Sequence, residues 1–503
     1  MCGCREENRD GVEVPVEQVG SPGKLRQFMD ILHLTDLSFR PKRSGVEKAI
    51  NNQQIMKKSL FIIAAAASFA IAACSQAPQE PKTIEVTGGL LQGVSSAAPE
   101  VTVFRGIPYA QPPVGELRWK KPQPAAPWEG VMVADTFGAI SHQNGSAEGT
   151  FYWKEFYQED NSPQSEDCLY LNVWAPANTV GDKDAKLPVA FWIHGGAYLN
   201  GHGTEMTMDG DAWAERGVIL VTINYRLGIL GYLSHPELSA EDPDGESGNY
   251  GLYDQIAALK WVRDNISAFG GDPENITVMG QSAGAGSVKC LVASPLSRGM
   301  IARAIIQSGG GIGQFLDTGQ TQEQMNAAGK AMMDRAGYAS LEAMRAAPAE
   351  DFLKIMSWGV TAPHNSVNVL PESFDEAAMS GHIADVDYMI GSTLDDIAPM
   401  EKQLDAFCYH RDTSSVKPVY RYLFARKLPG SEDGAFHSSE LWYMFGTVDR
   451  CWRALGAEDK DLSDRMMDFW TGFAKTGNPN GSGDSPWHRF THANPYVQVL
   501  NVE

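Results

Sequence analysis

Cysteine is scarce in this chain, and basic residues are outnumbered. Its 503 residues include only seven cysteines, at positions 2, 4, 74, 168, 290, 408 and 451. None forms a CxxC pair or a Cys/His cluster at zinc spacing, so neither a structural metal nor a dense disulfide framework is expected. Lys plus Arg total 41 against 62 Asp plus Glu, a formal charge of -21. Most of such a surface repels a phosphate backbone, which argues against a nucleic-acid partner. No period of the solenoid kind runs through the sequence. What is present is apolar bulk: 43 % hydrophobic and 20 % charged residues are too apolar for a disordered chain and enough for a large core.

The first eighty residues concern address rather than fold. Met56-Lys57-Lys58 precedes Leu60-Phe61-Ile62-Ile63 and an Ala-rich run ending at Ala73. That is a positive n-region and an h-region too short to cross a bilayer as a stable helix, the pattern of a secretory signal. The run closes on Ile71-Ala72-Ala73-Cys74, which resembles a bacterial lipobox, where the cysteine becomes the lipidated N-terminus. The expectation is a lipoprotein signal peptide over 56–73, with Cys74 as lipid anchor. The membrane is then a partner through that lipid, and the protein is exported, periplasmic or anchored at the outer membrane. The alternative is an ordinary signal followed by a coincidental cysteine. Because a signal should open a chain, residues 1–55 are expected to be a spurious, unstructured extension; 74–82, with Gln, Ala and prolines, reads as a flexible tether. Processing would leave Cys168, Cys290, Cys408 and Cys451, whose pairing the sequence leaves open.

From residue 187 apolar strand-like runs alternate with amphipathic stretches. Leu187–Ile193 and Val218–Tyr225 read as strands, and Leu252, Ile256, Leu259, Val262, Ile266 and Phe269 fall at helical spacing. Such alternation predicts a mostly parallel sheet covered by helices. Asn275–Met279 is the next strand and Ala283–Ala293 the next helix. Between them Gly280-Gln281-Ser282-Ala283-Gly284 fits G-x-S-x-G, which in a strand–turn–helix context is a nucleophile elbow. Without that context the pattern is only a Gly-rich turn bearing a surface serine. A serine hydroxyl needs a positioned base, and the developing oxyanion needs donors. His194-Gly195-Gly196-Ala197, directly after Leu187–Ile193, matches the loop that offers backbone N–H groups in such enzymes. Gly196, Ala197 and Ala283 are therefore the expected oxyanion hole.

These residues resemble the type B carboxylesterase family, which includes para-nitrobenzyl esterases and cholinesterases. The likeness runs from about Gly88 to Leu500. It is carried by Phe104-Arg105-Gly106-Ile107-Pro108-Tyr109-Ala110, Ser165-Glu166-Asp167-Cys168-Leu169-Tyr170-Leu171-Asn172, Asn224-Tyr225-Arg226-Leu227-Gly228, Ile306-Gln307-Ser308-Gly309 and Phe473-Ala474-Lys475-Thr476-Gly477-Asn478-Pro479-Asn480. The resemblance implies an α/β-hydrolase fold over 83–503: a mostly parallel central sheet flanked by helices. It implies a serine hydrolase that cleaves carboxylic esters through an acyl-enzyme, without cofactor or metal, on a small-molecule ester. It places His437, within Gly434–Leu441, as general base, and Asp396 as the acid that orients it, with Asp395 the neighbouring alternative. It also suggests two scaffold ion pairs, Arg105 with Glu166 and Arg226 with Asp254. The order Ser282, Asp396, His437 is that of α/β-hydrolases.

The chain departs from the family in three places. Ser141 stands where many relatives carry a cysteine bridging to Cys168, so the segment 141–168 is expected to lack a disulfide and to gain mobility. Gln158 replaces the tryptophan that holds choline, and Gln281 replaces the glutamate that cholinesterases place before the nucleophile, so a cationic choline ester is a poor substrate. Only 41 positions separate Asp396 from His437, a reduced helical segment that leaves either a more open pocket or a compromised enzyme. Two other functions remain from the sequence alone: a non-catalytic surface binding or adhesion protein of the same fold, and an esterase specialised for acyl or feruloyl groups on polysaccharides. Neither the acyl chain nor the oligomeric state is legible.

Overall fold

The computed structural model describes residues 82–158, 160–313, 319–356, 359–480 and 486–502. The expected extension, signal peptide and Cys74 anchor lie outside these residues, as does all but the last residue of the tether.

Among the described residues the strands are, in chain order, β1 (Thr83–Val86), β2 (Gly89–Gln92), β3 (Val94–Ser95), β4 (Val101–Pro108), β5 (Val131–Val133), β6 (Tyr170–Pro176), β7 (Leu187–Ile193), β8 (Ile219–Ile223), β9 (Gly271–Gln281), β10 (Arg303–Gln307), β11 (Asp387–Thr393), β12 (Val419–Phe424) and β13 (Val497–Leu500). Three form a small sheet, β1-β2-β5, and the other ten a large one ordered β13-β12-β11-β10-β9-β7-β8-β6-β4-β3. From β8 to β13 neighbours pair in parallel, while β3, β4 and β6 join antiparallel at one edge. The expected α/β-hydrolase architecture is present.

The central strands β7 and β8 are almost wholly apolar because both faces are covered. Along β7, Val189, Phe191 and Ile193 face one core cluster, and Ala190 and Trp192 face the other, the two-residue period of a strand. The first cluster is closed by the helices Tyr250–Asn265 and Ala283–Ala293 through Leu252, Leu259, Val288 and Leu291. The second is closed by the helix Ala457–Thr476 through Leu462, Met466, Trp470 and Phe473. Every residue of Ala283–Ala293 is buried, which is why its sequence shows small residues rather than an amphipathic stripe.

The chain reverses its order between β7 and β9, which are neighbours with Ile193 opposite Gly280. That is a topological switch point, and open α/β sheets bind ligands at the carboxyl ends of strands there. Between Asp396 and His437 lie one helix, Glu401–Ser414, and one strand, β12.

One suggested ion pair is corrected. Arg226 does bind Asp254, at 2.7 and 2.8 Å with both residues buried. Glu166, however, is held by Arg118 at 2.7 and 2.5 Å, and the same guanidinium donates to the carbonyls of Met344, Arg345 and Ala347. Arg105 instead donates to the Asp135 carbonyl and lies over the Phe137 ring. Arg118 follows a short 3-10 turn, Gly115–Leu117, that aims it inward.

Candidate active site

Ser282 sits immediately after β9 and at the N-terminus of the helix Ala283–Ala293, with φ +57° and ψ −123°. A non-glycine residue rarely holds such a backbone, and strain of this kind is kept only where the surroundings over-determine it. The flanking glycines are the reason it fits. A Cβ at Gly280 would meet the Gly284 carbonyl at 2.6 Å, and one at Gly284 would meet the Ile193 carbonyl at 2.1 Å.

The loop after β7 packs on this turn. Gly195 lies so close that an added Cβ would be 2.8 Å from the Gln281 carbonyl oxygen and 3.1 Å from Ser282 Cβ. Gly196 (φ +99°) and Ala197 (φ +59°) are both left-handed, which the Gly-Gly-Ala order anticipates at the glycine and not at the alanine. The backbone N–H groups of Gly196, Ala197 and Ala283 donate to no other described residue. His194, which opens that loop, is fully buried and stacks on Tyr225 with centroids 4.4 Å apart, and burial lowers its pKa to about 3.

His437 Nδ1 is 2.5 Å from Asp396 Oδ1. Burial would raise the Asp396 pKa, but the His437 imidazole, then the neighbouring Ser308 hydroxyl and the Ile397 N–H, hold it below the usual carboxylate range. Thr393 donates twice to Oδ2. Asp395 has a different task. Its Oδ2 accepts from the Ala435 N–H at 2.8 Å, and a backbone bridge pairs it with Phe436. It fastens the turn after β11 to the loop that carries the histidine.

Ser282, His437, Gly196 and Ala197 line one cavity of about 290 Å³, whose wall also includes Tyr152, Phe156, Met208, Ile397 and Leu441. Ser282 Oγ makes no hydrogen bond with a described residue. The far imidazole nitrogen is occupied by its neighbour: Gln281 Nε2 lies 3.1 Å from His437 Nε2. Because Nδ1 faces the carboxylate, a neutral imidazole presents a lone pair at Nε2, and the Gln281 amide donates to it.

Two residues here had no role in the sequence reading. Glu440, three positions after His437, is fully buried, with one oxygen 3.4 Å from Gln307 Nε2 and the other unpartnered. Burial, then the charge of Asp396, push its carboxyl up to about 7. Glu205 lines the cavity and accepts from Tyr157 Oη at 3.0 Å and from the His202 N–H at 3.2 Å. Spacing from His437 could have drawn attention to Glu440; nothing local marks Glu205.

The segment 141–168 is fastened without a disulfide. Cys168 is a buried free thiol beside the Ser141 hydroxyl, and Cys290, Cys408 and Cys451 are also free. Instead, Glu155 pairs with Arg453 at 2.6 Å with both side chains buried, and Asp160 pairs with His202 at 2.9 Å. Among the described residues one acidic group, Asp242, Asp244 and Glu246, has oxygens close enough for a cation. The Lys121 ammonium is 3.0 to 3.3 Å from all three carboxylates and supplies the counter-charge.

Known proteins are similar to this chain. The sequence model of the carboxylesterase family matches residues 80–407 and 406–503. The chain is 35 % identical over 446 residues to a para-nitrobenzyl esterase of Bacillus subtilis (strain 168), covering 75 % of this chain and 86 % of the relative. It is 33 % identical over 492 residues to a fumonisin B1 esterase of Sphingopyxis macrogoltabida, covering 82 % and 85 %. A solved thermophilic PNB esterase superposes with a TM-score of 0.73 at 30 % identity, covering 84 % of this chain and 96 % of that one.

Proposed function

The chain belongs to the carboxylesterase family and is a carboxylic ester hydrolase; from that premise we propose that it works through an acyl-enzyme formed on Ser282. His437 Nε2 takes the Ser282 proton as Oγ attacks the ester carbonyl carbon, with Asp396 orienting the ring and stabilising the imidazolium. The carbonyl oxygen becomes an oxyanion that the N–H groups of Gly196, Ala197 and Ala283 receive. Collapse breaks the bond to the alcohol, which leaves with the proton from His437. Water, deprotonated by His437, then attacks the acyl carbon and releases the acid and Ser282. Side chains and backbone amides supply every step.

The observation that carries this reading is the strained Ser282 in the wall of the cavity that His437 also lines, with Asp396 2.5 Å behind the imidazole. For the transfer, Gln281 must release Nε2. Ser282 and His437 on one cavity wall, with Asp396 bound to the imidazole, also weigh against a purely adhesive role. The test is a short-chain p-nitrophenyl ester: purified protein should show a burst followed by steady turnover, an organophosphonate probe should label Ser282, and Ser282→Ala should abolish both. Undiminished turnover in Ser282→Ala rejects the assignment. From the sequence alone we infer that the enzyme is exported and held at a membrane by a lipid on Cys74; failure of a fatty-acid label to enter the protein, with Cys74→Ser as control, removes that inference.

A further inference from the structure

Beside the catalytic cavity lies a second cleft of about 150 Å³, and the two share Ser146, Tyr157 and Asn200 as wall residues. They are neighbouring compartments of one binding region. The second has a different chemistry. Its wall is made largely of amides, hydroxyls and a carboxylate, with Trp153 and Tyr157 as its aromatic faces. Among the described residues neither compartment is lined by a lysine or arginine, so the second cleft offers a carboxylate-bearing group no lysine or arginine partner among them.

The cleft is built rather than incidental. Gln143 clamps the backbone of Gly201, accepting from its N–H at 2.7 Å and donating to its carbonyl at 3.0 Å. That clamp ties the cleft wall to the turn that carries Gly196 and Ala197. Asn200 belongs to the same turn, its N–H donating to the Gly196 carbonyl at 2.8 Å. The Asp160–His202 pair and the Tyr157–Glu205 hydrogen bond hold two further wall residues in place. Within this frame the side-chain polar groups of Ser146, Asn200 and Trp153 make no hydrogen bond with any described residue. Three wall residues therefore carry an amide, a hydroxyl and an indole N–H whose capacity is unspent, and Asp160 keeps acceptor sites beyond those given to His202 and Ser162.

Unspent donors and acceptors beside an aromatic face suit a molecule that alternates hydroxyls with C–H surface. A purely alkyl group would leave those polar groups desolvated and unpaired, which costs free energy. In a carboxylic ester the hydroxyl-rich half is a polyol acylated at one oxygen. We propose that this cleft is a subsite for the polyhydroxylated alcohol of the substrate, a pyranoside or comparable neutral polyol, with Trp153 covering the ring and Asn200 and Ser146 receiving its hydroxyls. The proposal rests on Ser282-dependent ester hydrolysis and names the alcohol that chemistry releases. The two volumes together fall within the roughly 300–1,000 Å³ of small-molecule sites, which suits a monosaccharide unit with a short acyl group.

The test holds the acyl group constant. Wild-type protein is assayed on mono-acetylated methyl xylopyranoside and on ethyl acetate, and kcat/KM should favour the sugar ester by about tenfold or more. That corresponds to one or two net hydrogen bonds. In Trp153→Ala and in Asn200→Ala the preference should collapse toward parity, with the loss in KM for the sugar ester, and Trp153→Tyr should recover part of it. Saturation-transfer NMR with methyl xylopyranoside on the wild-type chain should show contact that Trp153→Ala removes, a readout independent of turnover. Equal kcat/KM for the two acetates, or a preference that both alanine variants keep, overturns the subsite. If both acetates are hydrolysed in a Ser282-dependent manner without preference, the subsite alone fails. If Ser282→Ala leaves the rates unchanged, the acyl-enzyme reading fails, and the NMR contact then decides the subsite by itself.

Discussion

Glu440 offers the sharpest test of the buried electrostatics behind the site. Its carboxyl is fully enclosed, has one oxygen without a partner, and feels the charge of Asp396, so burial and then that charge favour the neutral acid up to about pH 7. In the unfolded chain the same group ionises near its ordinary 4.5. The folded state therefore binds more protons between those values, and stability falls as pH rises across the interval. At 1.36 kcal/mol per pKa unit, the cost at pH 8 is about 3 kcal/mol. Glu440→Gln replaces the ionisable acid with an isostere of its protonated form and removes that cost. Urea unfolding of wild type and variant, followed by tryptophan fluorescence from pH 5 to pH 9, isolates the effect as a difference between the two proteins. The variant should gain little at pH 5, about 3 kcal/mol by pH 8, and nothing further above that. A difference that stays flat across the range, or widens on acidification, would show that Glu440 is ionised in the folded enzyme and refute the reasoning.

Asp396→Asn should lower kcat/KM on a p-nitrophenyl ester by about 10²–10⁴, because the imidazole loses its orienting carboxylate. Asp395→Asn keeps an oxygen for the Ala435 N–H and should stay within about threefold; the opposite ranking would move the acid by one residue. Gln281→Ala frees the His437 lone pair that the Gln281 amide now occupies. Release from one net hydrogen bond of about 0.5–1.5 kcal/mol should raise kcat/KM by about two- to tenfold, and a large fall instead would make Gln281 a required support of the ring. Arg118→Ala strands Glu166 and three carbonyls in a largely buried setting and should destabilise by about 3–5 kcal/mol in urea titration. Arg105→Ala loses one carbonyl bond and a ring contact, about 1 kcal/mol, so equal losses in the two variants would restore the pairing suggested by family resemblance.

The fold was legible where a segment's environment imposes one kind of residue on it. Leu187–Ile193 reads correctly as a strand to both ends because helices cover its two faces, so all seven positions are selected for apolar or near-apolar character. The helix Ala283–Ala293 is likewise bounded by Ser282 and by its own burial. β9 begins four residues earlier than Asn275, at Gly271, which pairs with Leu187; a register shift then interrupts the pairing until Ile276, and the turn chemistry of Gly271-Asp272-Pro273-Glu274 marks that irregular stretch. The small sheet was not legible at all. Its strands have three or four residues, and Val131 and Val133 point to solvent, so no period survives over so short a length.

For the site, the same division has a chemical cause. Ser282 and the Gly-Gly-Ala loop are announced by their glycines, because the backbone approaches that bring them together tolerate no Cβ. Asp395 and Asp396 are adjacent and identical, and no local rule separates them. The distinction arises only when the histidine loop arrives 41 residues later, pairing one carboxylate with a backbone N–H and the other with an imidazole. Arg118 and Arg105 are in the same position: Glu166 accepts the one that a short 3-10 turn directs inward. Gln281 was visible as a replacement for glutamate, yet its consequence was not. A carboxylate there would meet a neutral imidazole nitrogen with no proton to share, whereas the amide supplies a donor and so rests on the lone pair that the proposed mechanism uses. Local sequence thus marks what backbone geometry forbids, while charge pairing and proton ownership are decided by partners far along the chain; under the proposed mechanism, the Gln281–His437 hydrogen bond must break before Ser282 can transfer its proton.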